Sequence, residues 1–157
     1  MKRTTTILLI SAFLGSGSAA AADWVVKPVQ GASGQVSKCI MESDKKEIFD
    51  GYQNIAIYIV VDGASVAVKS ASVLDPGFSD IGMHVDKDAF IAVDKVIQDK
   101  TASFDSNYAI IVEGFKRGLK VNVQLRFWPT WPVTVTHSAT LSLIGFTKAF
   151  NEMSDCK

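Results

Sequence analysis

The chain has 157 residues, 48% of them hydrophobic, with 16 basic side chains balanced by 16 acidic ones, and only two cysteines and two histidines. That is the size and composition of one globular domain. A formal charge of zero argues against the basic footprint that phosphate-backbone binding requires, so nucleic acid is not an expected partner, and 20% charged residues is too few for a solvating disordered chain.

The first segment reads as an export signal. Met1-Lys2-Arg3 is a positive start, Ile7 to Leu14 an apolar centre, and Ala19 to Ala22 the small residues a signal peptidase accepts. Gly15, Ser16, Gly17 and Ser18 interrupt the run well short of the roughly 20 apolar residues a membrane span needs. Residues 1–22 are therefore expected to be removed, leaving a single domain over 23–157 that starts at Asp23 and carries a formal charge of −2 once Lys2 and Arg3 are gone. The mature chain shows no second run of membrane length, which predicts a periplasmic or secreted protein without a membrane span. An oxidising compartment favours thiol pairing, and with two cysteines there is one intramolecular choice, Cys39 with Cys156. That bond would tie the C-terminus to an early strand.

In chain order, Ile55, Ile57, Ile59 and Val61 alternate as one face of a strand. Asp62-Gly63 predicts a two-residue type I′ turn, and Ser65 to Lys69 the returning strand. Asp75-Pro76-Gly77 is a second turn; Ile81, Met83 and Val85 alternate after it; Asp86-Lys87-Asp88 turns again before a strand over Phe90 to Val93. This spacing predicts an antiparallel meander. Tyr108, Ile111, Val112 and Phe115 then recur at helical spacing, with Lys116 and Arg117 near the C-terminus and Gly118 beyond it. Leu119, Val121, Val123, Leu125 and Phe127 alternate with polar neighbours, which predicts a strand with one buried face. The Trp128-Pro129-Thr130-Trp131-Pro132 segment breaks it, Val133 to Leu143 resumes the alternation as the second arm of a hairpin, and Phe146, Ala149, Phe150 and Met153 mark a short terminal helix. Short strands, tight turns and one or two short helices predict an all-β fold, a sandwich or a barrel, of which the antiparallel β-sandwich of jelly-roll-like type is favoured.

Catalytic chemistry is sparsely represented. No G-x-S-x-G elbow surrounds a serine, and the two histidines, His84 and His137, stand far apart in the chain. His84 lies beside Asp86 and Asp88, but Phe90 and Ile91 occupy positions where a calcium loop needs an oxygen ligand and a glycine, so the segment reads as a solvated turn. His137 shares parity with Val133, Val135, Ala139 and Leu141, as a hydrogen-bonded residue at a sheet margin, not a catalyst, would. Glu113 and Asp105 could be paired on paper as glycosidase carboxylates, yet 16 acids offer many such pairs. No metal, cofactor or catalytic residue is expected. The one local oddity is Arg126, Trp128, Thr130 and Trp131, an aromatic segment stiffened by proline. It suits an exposed platform for sugar rings, peptides or a protein surface, or else a packed hairpin cap.

The order Phe115-Lys116-Arg117-Gly118-Leu119-Lys120-Val121, then the Trp128 to Pro132 turn, then Ser142-Leu143-Ile144-Gly145-Phe146-Thr147-Lys148-Ala149-Phe150, resembles the invasion-associated locus B (IalB) family. The match runs from the signal segment through Cys39 and the strands at Ile55 to Val68, and its most specific part is the closing S-L-x-G-F-x-x-A stretch. The resemblance implies a periplasmic or secreted β-sandwich, associated in some pathogens with entry into host cells, and it brings no catalytic residue set. The function expected is that of a non-enzymatic exported protein binding a protein or glycan at the envelope or host surface. The alternative is a periplasmic enzyme, or an enzyme inhibitor of the lysozyme-inhibitor kind that plugs a cleft with one loop.

Overall fold

The computed structural model describes residues 24–129 and 135–156. They form two antiparallel sheets closed on one core, the sandwich expected. The first sheet orders β1 (Trp24–Gln30), β2 (Val36–Ser43), β4 (Asn54–Val61), β5 (Val66–Ser70), β9 (Thr101–Ser103) and β8 (Lys95–Ile97), with the short β3 (Lys46–Phe49) also paired to β4. The second orders β11 (His137–Ser142), β10 (Lys120–Leu125), β6 (Gly82–Val85) and β7 (Ile91–Ala92). Ile57, Ile59, Val61, Val66 and Val68 from the first sheet meet Met83, Val121, Val123 and Leu125 from the second in one buried cluster. Among the described residues no helix is long and apolar enough to cross a membrane.

The strands do not follow a meander. After β5 the chain leaves for the second sheet to make β6 and β7, returns as β8 and β9, and leaves again through a helix to β10 and β11. Local turns decide which residues reverse direction, but each sheet has a single apolar face, and crossing between the layers lets both faces close on the same core. The turn after β4 also departs from expectation. Val61 pairs with Val66, so the loop has four residues, and of these Gly63 alone has positive φ. The Asp62 carboxylate organises it by accepting the Ala64 and Ser65 N–H groups and the Ser65 hydroxyl. The two successive positive φ angles of a type I′ turn occur instead at Gln98 (φ 49°) and Asp99 (φ 58°), between β8 and β9.

Helix α1 (Tyr108–Arg117) and helix α2 (Phe146–Asp155) pack on each other, α1 against β6 and α2 against β1 and β2. Ile111, Val112 and Phe115 are buried on α1, and Phe146, Ala149 and Met153 on α2. Gly118 ends α1 at φ −83°, not in the left-handed region; a Cβ there would lie 2.4 Å from Val85 Cγ1, so close approach requires the glycine. Trp24 joins these parts. Its ring lies 5.0 Å from Phe146 and 6.1 Å from Phe115, and its indole N–H donates to the Ser142 carbonyl (3.1 Å). Cys39 on β2 is bonded to Cys156 beyond α2, with Cα atoms 5.9 Å apart. Cross-linking so long a loop restricts the unfolded chain by up to about 5 kcal/mol in the chain-entropy account.

In β10 the alternation holds for Val121, Val123 and Leu125, and Phe127 beyond it is also buried. Leu119, expected on the same face, is 74% exposed. Its carbonyl still accepts the Leu143 N–H (2.9 Å), but the side chain stands where α1 turns into the sheet, past the end of the buried layer. Val135 is likewise exposed where the alternation expected core, whereas Ala139, Leu141 and Leu143 are buried. The strand expected over Phe90 to Val93 shortens to Ile91–Ala92.

Candidate functional site at the aromatic end of the sandwich

The end of the sandwich where β10 exits and β11 begins gathers the segment singled out in the sequence. Residues 73–75 and 126–128 are zipped together by backbone bonds: Asp75 N–H to the Arg126 carbonyl, Trp128 N–H to the Val73 carbonyl, and a bridge between Leu74 and Phe127. Fixed this way, alternation buries Phe127 and turns Trp128 outward, where it is 62% exposed. Thr130 and Trp131 lie outside the described residues.

Arg126 is held within this end of the fold. Its Nε and Nη2 donate to the two carboxylate oxygens of Asp80, each at 2.7 Å, and its guanidinium lies 4.2 Å from the centre of the Phe78 ring. Such a two-point pair fixes orientation as well as charge. Asp80 also accepts the Thr136 hydroxyl, and with Arg126 as the dominant cause its carboxyl is held down at about 2. Arg126 therefore anchors the chain two residues before Trp128.

A second element reaches the same place. Asp50 is buried and accepts the backbone N–H groups of Tyr52 and Gln53, each at 2.9 Å, while its other oxygen accepts the Ser72 hydroxyl. Burial alone would raise the Asp50 pKa; these hydrogen bonds outweigh it and hold the pKa below its ordinary value. The turn so built projects Tyr52, 69% exposed, whose hydroxyl donates to the Pro129 carbonyl (3.2 Å). Phe49, the last residue of β3, is 51% exposed, with its ring 6.4 Å from that of His137, which in turn lies 5.5 Å from Phe127. Burial pushes the His137 pKa down, Asp50 opposes this and Arg126 adds to it, so the ring is mainly neutral at pH 7. It sits at the sheet margin, as its parity indicated, but its ring packs on the Phe49 and Phe127 rings and makes no side-chain hydrogen bond among the described residues.

Tyr52, Phe49 and Phe78 were not among the residues flagged in the sequence. The Asp50-Gly51 pair was the available signal, a turn dipeptide directly before an exposed aromatic.

The remaining sequence candidates are engaged separately. His84 Nδ1 bonds the Asp86 carbonyl (3.2 Å), Asp86 accepts the Leu119 and Lys120 N–H groups, and Asp88 pairs with Arg117. Asp105 accepts the Ser103 hydroxyl and pairs with Lys95, whereas Glu113 pairs with Lys116. Among the described residues no group of three or more histidine, cysteine or acidic side chains is arranged to hold a metal ion.

No family model matches the chain, and no curated protein matches it. Among solved structures, the crystal structure of invasion associated protein B from Bartonella henselae is similar, with a TM-score of 0.54 over 85% of this chain and 91% of that one, at 16% sequence identity. At that identity the likeness is one of fold. The chain thus shares its architecture with a protein whose name matches the family that its closing motif resembles.

Proposed function

We propose that the chain is an exported, non-enzymatic binding protein of the cell envelope or host interface, distantly related to the invasion-associated locus B family. On this reading it engages a protein surface through the aromatic end of its sandwich. The observation that carries it is the joint exposure of Phe49, Tyr52 and Trp128 at one end, Tyr52 on the turn held by Asp50 and Trp128 two residues beyond the Arg126–Asp80 pair. Large aromatics are enriched at the centres of protein interfaces because they bury much area at little entropic cost, and flanking backbone already held by hydrogen bonds adds little further cost on binding. Export is supported by the signal-like first segment and by the Cys39–Cys156 bond, the pairing an oxidising compartment favours. The fold shared with invasion associated protein B supports the envelope or host setting.

The test is affinity capture from envelope and host-cell extracts with the exported chain, repeated with Trp128→Ala and Tyr52→Ala. A specific partner should bind the Trp128→Ala variant more weakly by about 2 kcal/mol, roughly thirtyfold, with the melting temperature little changed. Unchanged affinity in both folded variants would remove this end from the interface.

A further inference from the structure

The outer face of the second sheet carries a different chemistry. Antiparallel register sets its side chains in rows across the strands: Ala92, Gly82, Gln124 and Ser138 in one, His84, Asn122 and Thr140 in the next, and Lys120 opposite Ser142 beyond. The middle of this grid holds amide, hydroxyl and imidazole groups, and the formal charges of Asp86 and Lys120 lie at its rim. A depression of about 230 Å³ is lined by His84, Asp86, Lys120, Asn122 and Thr140. Beside it, Phe90 is 42% exposed and lies across Gly82, where a Cβ would come within 2.5 Å of Phe90 Cζ and 2.3 Å of the Ile91 carbonyl oxygen. Only glycine lets the ring settle onto the sheet at that point.

The polar groups around the depression are oriented with capacity to spare. Asn122 Nδ2 donates to Thr140 Oγ1 (3.3 Å), leaving the Asn122 carbonyl oxygen and its second N–H. His84 Nδ1 is directed at the Asp86 carbonyl, which can only accept; in the neutral ring this places the proton on Nδ1 and leaves Nε2 as an acceptor. The Asp86 carboxylate accepts the Leu119 (3.0 Å) and Lys120 (3.3 Å) N–H groups, which holds the rim in place. Donors and acceptors thus alternate over a few ångströms, next to an aromatic ring about 7 Å along the strand from His84.

Vicinal hydroxyls donate and accept at once, which side-chain amides and an imidazole nitrogen match, and the C–H face of a pyranose packs on an aromatic ring. We propose that this face binds a saccharide, one sugar ring seated between His84, Asn122, Thr140 and Lys120 and the next directed toward Phe90. The site shares no residue with the aromatic end and does not depend on the function proposed there.

The experiment is a nitrogen-15 NMR titration of the exported chain with maltotetraose, chitotetraose and sialyllactose, which present neutral, N-acetylated and acidic sugars. At millimolar concentration, at least one should shift the Asn122 and Gln124 side-chain amides and the Thr140 backbone signal while leaving Tyr52 unmoved. Asn122→Ala and His84→Ala should each weaken that binding roughly tenfold. Thr140→Val, on an exposed position that leaves the fold intact, should weaken it in the same direction. Absence of shifts with all three sugars, shifts centred on Tyr52 and the Trp128 indole, or affinity unchanged in the folded variants would each overturn the assignment.

Discussion

Trp24 is the second residue of the expected mature chain, and its removal should cost more than that of any other side chain in β1. It is 3% exposed, packed edge-on against Phe146 and tilted against Phe115, and its indole N–H is the partner of the Ser142 carbonyl on β11. Trp24→Ala empties a space bounded by β1, both helices and β11, a substitution class that costs about 3 to 5 kcal/mol. Trp24→Phe keeps an aromatic ring but leaves Ser142 without its donor, a loss of about 1 kcal/mol.

With a urea slope of about 1.5 kcal/mol/M, the alanine variant should lower the unfolding midpoint by about 2 to 3 M, the phenylalanine variant by less than 1 M. Val25→Ala, next in the chain but exposed, should shift it hardly at all. Far-UV circular dichroism in urea reads all three. A midpoint for Trp24→Ala no lower than that of Val25→Ala would refute the claim that β1 is clamped to the helices and the second sheet through this ring.

Leu125→Ala should destabilise by about 2 to 5 kcal/mol, while Gln124→Ala and Leu119→Ala change little, since Leu125 is fully buried, Gln124 faces outward and Leu119 stands clear of the core; the same denaturant titration measures all three. Asp62 supplies a pH dependence. Burial pushes its pKa up, but Lys38 and the turn donors prevail and hold it at about 2, so the stability it contributes is complete above about pH 5 and is lost as pH falls toward 2. Asp62→Asn should flatten that acid limb in a series of melting curves; an unchanged slope would show that the carboxylate is not engaged.

Where residues alternate over a full strand between apolar neighbours, as in β4 and β10, the sequence is sufficient, because period two on a half-buried sheet has one stable orientation. Alternation does not say where the opposing layer stops, and Leu119 and Val135 fall beyond its edge. β8 and β9 have three residues each and are joined through Gln98-Asp99-Lys100, without the glycine that usually marks a type I′ turn, so neither pattern nor turn chemistry signals them. At the aromatic end, Trp128 is conspicuous because proline and tryptophan adjoin it. Phe49 and Tyr52 become its neighbours only through the Tyr52–Pro129 bond and the approach of β3 to β11, contacts between residues far apart in the chain.

Both proposed surfaces depend on one strand. The odd residues of β10 fill the core, Asn122 and Gln124 look out onto the polar grid, and the chain leaving Leu125 is the part that Arg126 and Asp80 fix beneath Trp128. A cavity at Val123 or Leu125 would loosen the grid and the aromatic end together, and a loss of binding caused that way would assign nothing. Substitutions confined to exposed atoms, at Trp128 and Tyr52 on one side and Thr140 on the other, leave the strand in place. Because the two sets have no residue in common, independence is itself measurable: a Trp128→Ala, Thr140→Val double variant should lose protein capture and sugar binding by the same factors as the two single variants. A coupling greater than about 0.5 kcal/mol would mean that the surfaces communicate through β10, or that they form a single site.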